Sequence, residues 1–471
     1  MIAQCHLVSW SLPLTKTFYR RYVWVMSDCD SSVLLNLYLQ IAPSELFRLL
    51  KRQSGKIVHN GIYSARLVIW MMINQRLQAG GTLAKSVEQL VQGRFSSLLS
   101  RCKRVKEKRI GLGTGGYCQA RQNLPKLLVS RSVNELIERL RQRMGQPTTE
   151  GQPRVYVLDG SSLQLEYGAE LVKAYPQAQN RYGKSHRPVV RMVVLHDVDT
   201  GLAERPYWGP MYGPQAVSEQ ALAEQATKHV PTGSVIIGDR NFGIFSVAYH
   251  AQAQGHGIVI RLTAVRARKL VGGAISRAID QSVQWRTSRW DGKKNRTWLA
   301  DASVQGRLIV QQVGRGKHKQ WLYLFTTLAL PAEQIVACYG KRWRIETDLR
   351  SLKQTVRLQH LSVQSTDMME KELLVAVLAY NLVRTIMYLA AQRSGGDPRQ
   401  LSFTYACNIV LDGYPKILAA RGAKQQEQEL STIIDLVARC KLPHRTKRRS
   451  YPRAVWGRGF RFAIRKAGKT K

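Results

Sequence analysis

Apolar positions recur at helical spacing through the first third of the chain. From Ser31, the residues Leu34, Leu35, Leu37, Leu39, Ile41, Leu46, Leu49 and Leu50 build one apolar face, and further helical patterns follow at 62–78, 82–93 and 122–143. This period predicts an all-α region over 29–150, closed by a polar stretch at 146–153 that is rich in turn residues. The pattern then changes to short apolar runs. Residues 155–158 read as a strand ending at Asp159, 189–198 as a second strand and 202–208 as a third. An amphipathic helix is predicted over 216–229, a buried strand over 234–237 leading into Gly238 and Asp239, a helix over 243–253 and a strand over 257–263. Strands followed by alternating strand and helix predict an α/β sheet of mixed strand order in 151–263.

Residues 264–328 break that alternation. Trp285, Trp290, Trp298 and Trp321 lie there among Arg, Lys and Gly in short alternating runs, which predicts a β-rich insertion. The α/β unit resumes over 329–395, where Pro331 opens one helix and 373–391 forms a strongly apolar one. Residues 396–471 form a C-terminal region with a basic, aromatic tail from Lys441. Residues 1–28 show no clear period and read as an extension, with Met26 as an alternative start.

Charge sharpens the picture. The chain has 72 Lys+Arg against 31 Asp+Glu, a formal net charge of +41. A folded protein this basic repels itself, and polyanions are its natural counterions. Arg is frequent and suits phosphate as a bidentate donor, which points to nucleic acid. A ribosomal or membrane-surface protein is the alternative, but neither needs the acidic constellation below. The seven cysteines (Cys5, Cys29, Cys102, Cys118, Cys338, Cys407 and Cys440) form no metal-binding spacing and read as reduced thiols. No secretory signal is evident, and the apolar run 67–73 is too short to span a bilayer. A cytoplasmic, bacterial-type protein with no membrane partner is expected.

The densest chemistry is the run Tyr339-x2-Arg342-x3-Glu346-x6-Lys353. At ~100° per residue these four side chains fall within about 60° of one another on a helix. Cys338, Ile345, Leu349, Leu352 and Val356 form a separate apolar stripe beside them. One face therefore packs inward while its neighbour presents a carboxylate flanked by a phenol and two cations. Asp159 and Asp239 each follow an apolar strand, where a carboxylate is held at a sheet edge. An Asp after a strand is more often a turn or helix cap, and a helical Glu more often a solvated ion-pair partner. Together, the three acids suit Mg²⁺ or Mn²⁺, and two such ions suit an in-line displacement at phosphorus. Asp348, about 200° from Glu346 around the helix, reads as surface. Asp197 and Asp199 before Thr200-Gly201 read as a turn between strands, and Trp343 as a packing residue. The literal G-x-G-x-x-G at 111–116 follows no strand and is set aside as a nucleotide site.

With these residues in view, the chain resembles the bacterial DDE insertion-sequence transposases, in the cut-and-paste group with the Y-x2-R-x3-E-x6-K signature. The likeness rests on Tyr339 to Glu346 with Lys353, on Leu158-Asp159-Gly160-Ser161-Ser162, on Gly238-Asp239-Arg240, and on the stretch Tyr117 to Pro125, and it spans about 30–400. The resemblance implies an RNase H-like catalytic core with a β-rich insertion, preceded by an all-α N-terminal domain. It implies Asp159, Asp239 and Glu346 as ligands of two Mg²⁺ or Mn²⁺ ions. Tyr339, Arg342 and Lys353 are implied to hold phosphates near the cleaved end. Trp321 is implied to stack a flipped base, and the residue equally suits a core position. Arg240 reads as either a DNA contact or a carboxylate partner. Double-stranded DNA, both terminal inverted repeats and target, is the implied partner, bound by the N-terminal helices and the basic tail. A homodimeric synaptic complex is implied because two ends must be joined. A non-catalytic DNA-binding derivative and a nuclease that never rejoins ends are the other two readings.

Overall fold

The computed structural model describes residues 33–53, 61–99, 102–107, 109–145, 152–181, 183–288, 302–314, 319–359, 361–413 and 422–443. The expected 1–28 extension, most of the 146–153 stretch, Trp290, Trp298 and the basic tail from 444 lie outside the described residues.

The N-terminal part is helical: α1 (Val33–Ile41), α2 (Ser44–Gln53), α3 (Ala65–Leu77), α4 (Leu83–Val91), the short α5 (Lys103–Lys106), α6 (Gly115–Asn123) and α7 (Lys126–Arg143). Helix α3 starts where the Ser64 hydroxyl accepts from the Leu67 amide at 3.3 Å, an N-cap that satisfies an otherwise orphaned donor. Residues 67–74 of this helix are buried on all sides, so it runs through a core and not along a surface.

A nine-stranded mixed sheet follows. Its strands are β1 (Val155–Gln164), β2 (Gln177–Asn180), β3 (Gly183–Asp197), β4 (Tyr207–Pro210), β5 (Val235–Gly238), β6 (Gly257–Arg261), β7 (Ile279–Arg286), β8 (Ser303–Val313) and β9 (Gln320–Thr326). The spatial order is β2-β3-β1-β5-β6-β9-β8-β7, with β4 also on β3. Strand β1 is antiparallel to β3 and parallel to β5, and β5 is parallel to β6. The antiparallel strands of the insertion join the same sheet through β6 and β9. Interleaved helices are α8 (Ala169–Ala174), α9 (Glu219–Thr227), α10 (Phe245–Ala253) and α11 (Ala264–Val271), and the chain closes with α12 (Ala332–Gly340), α13 (Arg344–Arg350), α14 (Thr366–Ser394), α15 (Phe403–Asp412) and α16 (Ala423–Arg439).

Alternation along β1 sends its side chains to two cores. Tyr156 and Leu158 pack with Leu222 and Ala223 of α9 and Val247 of α10. Val157 and Leu163 face a much larger core that holds Ile345, Leu349, most of α14 and the N-terminal helices. A third core lies between α10 and the insertion, around Phe245, Trp285 and Phe325. The N-terminal helices thus share their core with α14. Ions reinforce the junction: Glu372 on α14 is buried, lies 2.8 Å from the Arg76 guanidinium and accepts from Arg121. The stretch Tyr117 to Pro125 therefore acts here as part of a clamp, with Tyr117 and Arg121 buried. By length and composition α14 could cross a membrane, but its most apolar stretch is 89% buried inside the fold.

Three local expectations need correction. Strand β1 does not end at Asp159. It continues to Gln164 because Gly160 to Gln164 pair with β3. The segment expected as a strand over 202–208 contains only an isolated bridge between His196 and Ala203, and then β4. The insertion opens with a helix, α11, capped by Thr263 and ended by Gly272 in the left-handed region at φ 71°, a conformation glycine adopts without strain.

Candidate active site

Strands β1 and β5 place the two aspartates. Leu158 is in register with Gly238 across the parallel pair, so Asp159 and Asp239 occupy the next positions on adjacent chains, where strands run about 4.8 Å apart. Strand β5 stops at Gly238, so beyond that point β1 keeps its β3 partner and has an open edge on the β5 side. Both aspartates are half-buried at this edge. Asp159 Oδ1 accepts from the Gly160 amide at 2.8 Å. Asp239 Oδ1 accepts from the Asn241 amide at 2.8 Å, a turn-capping bond of the kind a lone Asp after a strand would make.

The electrostatics tie the signature to this edge. Burial pushes the Asp159 carboxyl up to about 6, against the pull of the Gly160 amide, and the Asp239 charge pushes the same way while Arg342 opposes it. Burial lowers the Lys353 ammonium and the Asp159 carboxylate draws it back up. Tyr339 is buried, which raises its phenol, with Arg342, Arg261 and Asp239 as charged neighbours. Asp159, Asp239, Tyr339, Arg342 and Lys353 therefore share one electrostatic neighbourhood.

Glu346 sits differently. Its side chain is 49% exposed and lies 3.6 Å from the Arg342 guanidinium. Among the described residues, no group of three or more His, Cys, Asp or Glu side chains is gathered closely enough to hold a metal ion. The structure thus brings two of the three acids side by side and leaves the third paired with Arg342. The segment that carries them is not one regular helix. Residues 341–343 tighten into a 3₁₀ turn and 351–355 widen into a π turn that carries Lys353. Such π turns recur at functional sites. The apolar stripe packs as the spacing predicts: Ile345, Leu349, Leu352 and Val356 are buried and Cys338 partly so.

Two neighbours differ from their sequence reading. Asp348 is not surface. It is 1% exposed and accepts from Arg399 at 2.6 Å, from Arg384, and from the Tyr380 hydroxyl at 3.1 Å. Helix α14 covers the side of α13 that a helix on a surface would leave to water. Trp343 is not packed: it is 59% exposed, with the Arg342 guanidinium 4.3 Å from its ring centre. Asp197 does build the expected turn, its Oδ1 accepting from the amides of Asp199 and Thr200 at 2.9 and 2.8 Å. Arg240 is exposed in the turn after Asp239. Trp321, on β9, is half-buried against the insertion core.

Sequence reasoning missed Glu219, Arg191 and Arg261. Glu219 opens α9 after the Ser218 cap, and both Asp239 and Arg191 bear on its carboxyl, whose proton affinity burial raises first. Arg261 ends β6 after Ile258, Val259 and Ile260. The strand-end logic that singled out Asp239 applies equally to it.

The donor set fits a divalent cation. Asp159 and Asp239 each receive one backbone N–H, which leaves further oxygen lone pairs on two like charges at adjacent positions, and oxygen-rich sites of this kind suit Mg²⁺ or Mn²⁺.

A mixed sheet that sets two aspartates side by side at the open end of a parallel pair, with a Tyr/Arg/Glu/Lys segment laid across them, defines a class. Residues 150–382 match the transposase DDE domain, so the chain carries a DDE transposase domain over just under half of its length. It is a distant homologue of transposase InsG for insertion sequence element IS4 of Escherichia coli (strain K12), 28% identical over 306 residues. That match covers 61% of this chain and 64% of InsG, a little under two thirds of the relative's length.

Proposed function

We propose that this protein is a DNA transposase that cuts at the ends of a mobile element and joins them to target DNA. The observation that carries this reading is the adjacent register of Asp159 and Asp239, with Arg342 and Lys353 of the signature in the same electrostatic neighbourhood. The strand order β4-β3-β1-β5-β6, with β5 and β6 parallel to β1, supports an RNase H-like core. In this reading Asp159, Asp239 and Glu346 hold two divalent cations, Mg²⁺ or Mn²⁺, which would supply activation of the attacking hydroxyl and neutralisation of the leaving oxygen.

The chain's own groups do the rest. Arg342 and Lys353 meet the charge that develops on the reacting phosphate. Burial beside Asp159 favours loss of the Lys353 charge, so a bound phosphate and the aspartate together hold its proton in place. Tyr339 keeps its phenol proton and donates to phosphate. Arg240, exposed beside Asp239, contacts the DNA backbone, and Trp321 stacks a displaced base. Cleavage uses water and joining uses the freed 3′-hydroxyl. Each is an in-line substitution in which one P–O bond forms as another breaks, so one site serves both. Terminal inverted repeats and target DNA are the partners, engaged by a homodimer that holds two ends, in a protein of the cytoplasm and its nucleoid.

Glu346→Gln tests the assignment. It is expected to abolish strand cleavage of a terminal-repeat duplex in Mg²⁺ while leaving duplex binding within about threefold. Cleavage at the unchanged rate would refute it.

A further inference from the structure

Glu219 stands on the far side of the sheet from the acids described above, with its carboxyl over Gly160 and its charge felt by Asp159. Alternation along β1 directs Asp159 toward the large core and Gly160 toward α9 and α10. Where β5 ends there is no strand to separate these two sides. A Cβ on Gly160 would lie 2.5 Å from the Glu219 carboxyl carbon and 2.8 Å from each of its oxygens. Any side chain at 160 would expel that carboxylate, so the glycine makes the space in which it rests. Asn241 Nδ2 donates to Glu219 Oε2. The Asn241 amide donates to Asp239 Oδ1 at 2.8 Å, and the neighbouring Gln220 Nε2 donates to the Asn241 carbonyl at 2.8 Å. The first turn of α9 therefore grips the turn that carries Asp239, and places a carboxylate over the Gly160 backbone, next in sequence to Asp159. The Arg191 Nη1 group on this side is already donating to the Val217 carbonyl at 2.9 Å.

We propose that Glu219 supplies a fourth carboxylate to the divalent-cation site, entering through the gap where β5 stops. The inference rests on the reading of Asp159 and Asp239 as cation ligands. A hard cation gains most from anionic oxygen, so the role depends on Glu219's charge. The competing role, a purely structural grip on Asn241, depends only on its oxygen as a hydrogen-bond acceptor. Glu219→Gln separates the two, because the amide oxygen still accepts from Asn241 while the charge is gone.

The experiment titrates Mn²⁺ into the full chain without DNA at neutral pH and counts bound ions by electron paramagnetic resonance, for the unchanged protein, Glu219→Gln, Gly160→Ala and Asp159→Asn. The expected result is a loss of affinity of tenfold or more in Glu219→Gln and a similar loss in Gly160→Ala, which retains every acid but fills the space. Unchanged titration in Glu219→Gln, with binding lost in Asp159→Asn, overturns the role of Glu219 and leaves the site standing. Unchanged titration in both overturns the site and this inference with it. Should Glu219→Gln fail to fold, unchanged affinity in Gly160→Ala overturns the proposal.

Discussion

Asp159 should cost the metal-free protein stability, and the cost can be measured. Its carboxyl titrates near 6 instead of the ordinary 3.8, chiefly through burial and, among its neighbours, through Asp239. The unfolded chain loses this proton first as pH rises. Between about pH 4 and 6 the native state then holds more protons than the unfolded one, so stability falls with rising pH, and above about 6 the full penalty is in place. Two pH units at about 1.4 kcal/mol each make this on the order of 3 kcal/mol. Asp159→Asn removes the charge and keeps the oxygen that accepts from the Gly160 amide. In EDTA at pH 7.5 the variant should therefore be more stable than the unchanged chain by about 2–3 kcal/mol, a gap that closes toward pH 4. Urea unfolding followed by tryptophan fluorescence across pH 4–8 reads it. Adding Mn²⁺ at pH 7.5 should raise the unchanged chain's midpoint and not the variant's. A variant less stable at pH 7.5, or a gap that does not change with pH, would refute the reasoning.

Asp348→Ala leaves Arg384 and Arg399 buried without their shared counter-charge and should cost about 3–5 kcal/mol in urea unfolding at neutral pH. Burial pushes the Asp348 carboxyl up, but Arg399 and Arg384 hold it below its ordinary value on balance, so its contribution is present above that value and the gap to the variant should narrow as pH falls through the depressed one. Trp321→Ala should slow hairpin formation on a nicked terminal-repeat duplex more than it slows the first nick, because a lost stacking face is worth about 1–3 kcal/mol per base; equal slowing of both steps would remove its role. DNA affinity should fall steeply with salt, at a log–log slope of about −0.9 per phosphate contacted, and a flat dependence between 50 and 200 mM salt (about the range over which such contacts show) would count against a phosphate-led interface.

The strand acids were legible because each follows a dense apolar run, and Leu158-Asp159 and Ile237-Gly238-Asp239 keep that form in the fold. The extension of β1 was not. Gly160-Ser161-Ser162 looks like a turn in isolation and becomes strand only because Val193, Met192 and Arg191 lie opposite. Asp348 was misplaced for a related reason. An angular argument on one helix gives it an inner and an outer side, but α14 closes over the outer side of α13 and supplies Tyr380 and Arg384, more than thirty residues away in sequence. Glu219 escaped notice because its partners, Gly160 and Asn241, are brought to it by strands on either side. The periodicity of α9 carries no trace of them.

The same buried cluster explains how Glu346 is aimed. A regular α-helix would hold Tyr339, Arg342, Glu346 and Lys353 on one face. The tight turn at 341–343 advances the chain by about 120° per residue, which carries Glu346 outward, and the wide turn at 351–355 brings Lys353 back toward Asp159. Rotation of α13 about its axis cannot bring Glu346 nearer. Asp348 fixes one side through two guanidinium groups, and Ile345 and Leu349 fix another in the large core. Movement of Glu346 is therefore confined to its own side-chain torsions. Its ion pair with Arg342, at 3.6 Å and half-exposed, belongs to the kind worth about 0–1 kcal/mol. On the proposed reading, releasing Glu346 toward the aspartates would cost little and would free Arg342 for phosphate in the same movement. On the same reading, a rigid helix with one loosely tethered acid would couple the two events, the third carboxylate being delivered when a phosphate takes Arg342 from it.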